Sequence, residues 1–173
     1  MKGTGKDRPG YKIRFCAEQT NLDDLEYFWI DICCIEKSSS AELSEAINSM
    51  YRWYQDARVC YAYLADVPSK TKFPGWTLQL LLAPSEVISF DEEWKSLGTR
   101  KNLRPSLSSC TGIPEGILAR NDDLRRVSIA QRISWAVKRV RKRLEDRAYC
   151  LIDIFGINMP LLYREEERAF LRL

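Results

Sequence analysis

Apolar side chains recur at Leu43, Ile47, Met50, Tyr51 and Tyr54, the spacing of one helical face, and Ser39-Ser40-Ala41-Glu42 just ahead of them has capping-box spacing. This pattern predicts a helix over residues 40–57. Two apolar runs flank it. Tyr27-Phe28-Trp29-Ile30-Asp31-Ile32-Cys33-Cys34-Ile35 is nearly continuous and rich in aromatic and β-branched residues, the pattern of a strand covered on both faces. Val59-Cys60-Tyr61-Ala62-Tyr63-Leu64 reads as a second buried strand. Strand, helix, strand in this order implies a right-handed parallel crossover.

The alternation continues to about residue 90. Residues 76–82 read as a short helix stopped by Pro84, and Glu86-Val87-Ile88-Ser89-Phe90 as a third strand. At the other end, Pro9 suits the first turn of a helix with Ile13, Phe15 and Ala17 inward, after a glycine-rich basic loop over residues 1–10. Beyond residue 96 the character changes. Residues 97–116 are rich in Ser, Gly and Pro; Ser128-Ile129-Ala130-Gln131 offers another capping box for a helix to about residue 141; a helix over residues 145–155 can end at Gly156. Glu165-Glu166-Glu167 opens a last helix with the acids its dipole favours. The expected architecture is one α/β domain: a parallel sheet flanked by helices over residues 10–95, completed by a mainly helical extension over residues 96–173.

Composition narrows the chemistry. The chain has no His, which excludes Ser-His-Asp and Cys-His nucleophiles, HExxH zinc sites and imidazole acid–base catalysis. Any catalysis falls to carboxylates, Lys, Tyr or Cys. Six cysteines form no CxxC pair, and a strand over residues 27–35 sets Cys33 and Cys34 on opposite faces, so buried free thiols are expected and no metal site. A net charge of +3 points to neither nucleic acid nor an anionic membrane. No uncharged run approaches the roughly 20 residues that span a bilayer, so a soluble, reducing, cytoplasmic setting is expected.

Two features invite a site. Asp31 is a lone carboxylate in an apolar run, so it either accepts backbone N–H bonds from a neighbouring loop or faces a crevice at a strand end, where Glu36 would join it. Lys138-Arg139-Val140-Arg141-Lys142-Arg143 is the densest basic run; without interleaved aromatics, and with Glu145-Asp146 close behind, it reads as a solvated helix end and not as a nucleic-acid interface.

Trp29, Ile30, Asp31, Cys34 and Ile35, followed by Met50, Tyr54 and Ala57, match the pattern Trp-Ile-Asp-x-x-Cys-Ile and Met-x-x-x-Tyr-x-x-Ala. With Gly75-Trp76-Thr77-Leu78-Gln79-Leu80-Leu81-Leu82-Ala83-Pro84 and Glu145-Asp146-Arg147-Ala148-Tyr149-Cys150-Leu151, they make the chain resemble the fungal heterokaryon-incompatibility (HET) domain over nearly its whole length. HET domains in turn resemble Toll/interleukin receptor (TIR) domains, some of which cleave NAD with a helical glutamate. The resemblance implies a TIR-like fold, a part in nonself recognition and programmed cell death, and protein partners or self-association. NAD enters only as a substrate of the family, and no cofactor is implied.

The departures are informative. The family decapeptide carries Arg-Gly-Trp-Thr-Leu-Gln-Glu; here the arginine is Pro74 and the glutamate is Leu80, which neither ionises nor accepts a hydrogen bond. Loss of such a group removes an electrostatic contribution of several kcal/mol, so little or no NAD hydrolysis is expected unless Glu36 or Glu86 replaces it. Near the end, the family's Leu-Tyr-Gly-Glu-Gly-Glu-Arg-Ala-Phe reads Leu162-Tyr163-Arg164-Glu165-Glu166-Glu167-Arg168-Ala169-Phe170, so Arg164 and Glu166 replace glycines and are expected to remodel the turn or extend the helix. Glu145, Asp146, Arg147 and Tyr149 are expected to dock the helical extension on the sheet. The family's opening strand has no counterpart before Met1, and relatives continue past the last residue. The missing strand would leave an exposed sheet edge and a tendency to pair with another chain.

Overall fold

The computed structural model describes residues 9–36, 38–64, 78–137 and 145–173, with only the backbone at Arg147. Trp76 and Thr77, the loop before them, and the basic run 138–143 lie outside the described residues.

The fold is mixed α/β, with a small open sheet flanked by helices. Helix α1 (Pro9–Leu22) begins at the expected proline. Helix α3 (Ser40–Asp56) follows the short α2 (Asp31–Cys34), and the Ser39 hydroxyl accepts the Glu42 N–H, as the capping box requires. Strands β1 (Cys60–Tyr63) and β2 (Val87–Phe90) form where the apolar runs place them and pair in parallel, Cys60 opposite Val87 and Tyr63 opposite Phe90. Between them lies α4 (Leu78–Leu82).

Alternation along the strands sets up two faces. On one, Cys60, Ala62, Leu64 and Val87 join Leu78, Leu81, Leu107, Ile113, Trp135 and Leu151 in the main core. On the other, Tyr63 stacks on Trp94 with ring centroids 4.2 Å apart, and Phe15 of α1 meets Trp94 at 4.0 Å and Phe90 at 4.9 Å. The Tyr61 hydroxyl donates to Asp23, just beyond α1, which ties this layer to the sheet.

The sheet is not purely parallel. Strand β3 (Ser96–Thr99) runs antiparallel to β2, with a register shift between Ser89 and Phe90 opposite Gly98, whose φ of 120° only glycine adopts easily. Asp91, 4% exposed, closes this hairpin by accepting the N–H groups of Glu93 and Lys95 on Oδ1. The segment after residue 95 therefore opens with a strand. Helix α5 (Arg100–Thr111) is N-capped by Thr99 and ends at Gly112 in the left-handed conformation. The buried Arg100 guanidinium donates to the Leu81 and Ser85 carbonyls at the end of α4, fixing α4 against α5. Helices α6 (Glu115–Leu118), α7 (Ile129–Val137), α8 (Glu145–Tyr149), α9 (Ile152–Phe155) and α10 (Arg168–Arg172), with a 3-10 turn at Leu124–Arg126 between α6 and α7, complete the described elements. Ser128 caps α7, and Gly156 ends α9 in the left-handed conformation, both as expected. The single helix expected over residues 145–155 is broken between α8 and α9.

Residues 27–35 are the main correction. They form no strand, and the crossover expected from them is absent among the described residues: β1 pairs only with β2. Ile30 is extended (φ −145°, ψ 128°) but joins no ladder, and Asp31 occupies the first turn of α2, where a carboxylate suits the helix dipole. The run is not buried on two sides. Tyr27 is 86% exposed, and Trp29 packs instead on α3, 5.2 Å from the Trp53 ring and 6.3 Å from Tyr54. Apolar content alone does not separate a buried strand from an aromatic segment lying across a helix.

Candidate functional site

The residues singled out from the sequence do not converge on one cleft. Asp31 and Glu36 are both exposed. Glu36 is engaged locally: its carboxylate accepts the Ser38 N–H at 2.9 Å and hydroxyl at 2.6 Å, which lowers its pKa. Asp31 therefore does not play the part of a buried strand acid. Leu80 is half-buried and packs against the main core. Cys34 is exposed beside Cys33.

Gln79, one residue before Leu80, is 6% exposed, and its amide nitrogen donates to Asp153 Oδ2 at 2.6 Å. Asp153 lies on α9, in the run Leu151-Ile152-Asp153-Ile154-Phe155. Burial raises its pKa from 3.8 to about 6, against the opposing effect of the Gln79 bond. Asp153 lines a cavity of about 450 Å³ between α3, α4, α6, α7 and α9. Tyr51 comes from α3, and Arg120, Arg125 and Arg132 bring three guanidinium groups. Arg125 is paired with Asp123 at 3.3 Å. Arg132 donates to the Ile154 carbonyl at 2.8 Å and sits 4.9 Å from the Phe155 ring centroid. The cavity thus joins a carboxyl group that changes charge near pH 6 to fixed cations. Asp153 was missed from the sequence, although the signal used for Asp31, a lone acid in an apolar run, marks it equally well.

The second constellation is Glu145 and Tyr149. Glu145 is 6% exposed, and its Oε1 accepts the backbone N–H groups of Arg164 (2.8 Å) and Glu166 (3.2 Å). The Tyr149 hydroxyl accepts the Leu162 N–H at 2.8 Å and lies 2.8 Å from Glu165 Oε1, to which it donates. Burial foremost, with that carboxylate, pushes the phenol up to about 12. Arg172 in turn donates from Nε to Glu165 Oε2 at 2.8 Å. Ala148, Tyr149, Ile152, Met159 and Ala169 form a small core beneath this network. These motif residues bind the C-terminal turn to α8, which corrects the expectation that they dock an extension on the sheet. Arg164 (φ 81°) and Glu166 (φ 51°) both adopt the left-handed backbone that glycine favours. Asp146 is half-buried on α8.

Among the described residues, no cluster of three or more His, Cys, Asp or Glu is placed to hold a metal ion, and no helix is long and apolar enough to cross a membrane.

An α/β module of this kind, with one motif network spent on internal docking and a leucine at the expected acid, is matched by sequence over most of its length. The family model described as Heterokaryon incompatibility protein (HET) covers residues 12–151. The chain is 44% identical, over 191 aligned positions, to Vegetative incompatibility protein HET-E-1 of Podospora anserina, an alignment covering 99% of this chain and 14% of that protein. The chain belongs to the HET family. It spans only a small part of that relative's length, and the 191 aligned positions exceed its own 173 residues, so the relative carries segments that this chain lacks. No solved structure matches it.

Proposed function

We propose that the chain is a HET-type module of fungal nonself recognition and programmed cell death, acting in the cytoplasm through association with protein chains, its own copies included, and without catalysis. The kinship with a vegetative incompatibility protein supports the biological setting. The observation that carries the non-catalytic reading is Leu80: at the position where the resemblance places a glutamate, a half-buried aliphatic side chain packs into the core. We read the parallel β1–β2 pair as the remnant of a TIR-like sheet in a single domain. Association is supported by Tyr27, Phe28, Trp29 and Trp53, large apolar side chains all more than a third exposed. The reading calls on no nucleic acid, membrane, metal or cofactor.

Sedimentation of the chain over rising concentrations tests it. Average mass is expected to climb with concentration and to stay near that of a monomer when Trp29 and Trp53 are both replaced by Ser, with circular dichroism unchanged. A monomer at every concentration contradicts the association.

One observation favours a second reading. Asp153, held by Gln79 in the cavity, is an acid beside α4 that titrates near neutrality, and could serve NAD cleavage in place of the lost glutamate.

A further inference from the structure

Buried thiols were expected, but Cys33, Cys34 and Cys110 are exposed. A strand would have separated the adjacent pair. Because residues 31–34 are instead one helical turn, Cys33 Sγ and Cys34 Sγ lie 3.8 Å apart at the surface. Only a third thiol, Cys16 on α1, lies close enough to influence Cys33 electrostatically, and it is half-buried.

We propose that Cys33 and Cys34 form a redox-modifiable vicinal dithiol, which hydrogen peroxide closes to a disulfide between neighbouring residues. Solvent access and an adjacent resolving thiol are the two features that favour reversible oxidation over progression to sulfinic acid. The Cys33 S–H donates to the Ile30 carbonyl at 3.7 Å, and desolvation foremost, then Cys34 and the negative charge of Asp31, raise its pKa. With Cys33 Sγ held at the Ile30 carbonyl, Cys34 is assigned as the sulfur that attacks peroxide. It displaces hydroxide, which leaves as water, and becomes a sulfenic acid. Cys33 then attacks the Cys34 sulfur, loses its proton and expels a second water. Two thiols and one peroxide give one disulfide and two waters; the sulfurs lose the two electrons that the peroxide gains.

The product is strained. Neighbouring Cα atoms stand about 3.8 Å apart across a trans peptide, below the roughly 4.4 Å at which ordinary disulfides begin. Strained bridges are easily reduced, so this one suits a reversible switch better than a structural staple. Closing it also strains α2, whose turn rests on the Cys33 and Cys34 N–H bonds to the Ile30 carbonyl, one residue from Trp29.

The test is brief peroxide treatment of the whole chain, blocking of remaining thiols, and mass spectrometry after cleavage at glutamates. Cleavage at Glu18 and Glu26 separates Cys16 from the pair, and cleavage at Glu36 frees residues 27–36. The expected product is that single peptide, about 2 Da lighter, unblocked at both cysteines and restored by dithiothreitol. In Cys33→Ser the loss of mass disappears and Cys34 carries a sulfenic adduct, trapped by dimedone. A cross-link joining the Cys16 and Cys33 peptides, irreversible oxygen addition at either residue, or thiols that remain fully blockable would overturn the proposal.

Discussion

The Gln79 amide donates to the Asp153 carboxylate across 2.6 Å, joining helix α4 of the family decapeptide to helix α9. Burial is the dominant cause of the raised Asp153 pKa, and the Gln79 bond opposes it. Its folded-state value of about 6 lies above the 3.8 of an unhindered Asp. The stability associated with the protonated form is therefore complete below pH 4 and lost as pH rises through 6. Asp153→Asn keeps an acceptor for Gln79 without the charge. Urea unfolding should show the variant more stable than the parent by about 1 kcal/mol at pH 7.5, after allowance for solvent screening, and equal to it at pH 4. A variant less stable at pH 7.5 would show that the ionised carboxylate is stabilising in place.

Glu145 organises the turn after residue 163. In Glu145→Ala the N–H groups of Arg164 and Glu166 lose their shared acceptor, and unfolding should cost about 2 kcal/mol less. Glu145→Gln retains one oxygen and should lose about half as much. Equal losses in both variants would mean that charge, not acceptor geometry, matters at this site.

Tyr149→Phe removes a hydroxyl with partners at Leu162 and Glu165 while leaving the ring in its small core. The expected loss is about 1–2 kcal/mol by thermal or urea unfolding, with no change in secondary structure. No loss at all would place the hold on the turn in apolar packing alone.

Arg164 and Glu166 are exposed and left-handed, so each pays a conformational cost that glycine avoids. Arg164→Gly and Glu166→Gly should each stabilise the fold by roughly 0.5 kcal/mol, the relief of strain being partly offset by the greater freedom of glycine in the unfolded chain. Destabilisation by either would mean that its side chain contributes more than its backbone strain costs.

The legible parts of the sequence were those where two signals agree. Helix α3 carries both an apolar stripe and a cap at Ser39; β1 and β2 carry short apolar runs. Strand β3 was invisible because Ser96-Leu97-Gly98-Thr99 offers one large apolar residue, and its pairing depends on Asp91 and a glycine bulge. The run 27–35 failed the opposite way: its apolar content was real, but tertiary packing on Trp53 and Tyr54 decided its conformation. The family glycines opposite Arg164 and Glu166 marked a turn of special backbone, but its acceptors, Glu145 and Tyr149, lie far away in sequence, where local patterns do not report them. The cavity needed residues from five helices, and local patterns do not report such convergence.

NAD turnover by the purified, folded chain, measured beside Leu80→Glu and Asp153→Asn, tests the central claim most directly. The account predicts no turnover above background in the unmodified chain or in Asp153→Asn, with any activity confined to Leu80→Glu. Turnover by the unmodified chain that is abolished in Asp153→Asn would contradict it and establish the acid in the cavity as the catalytic group.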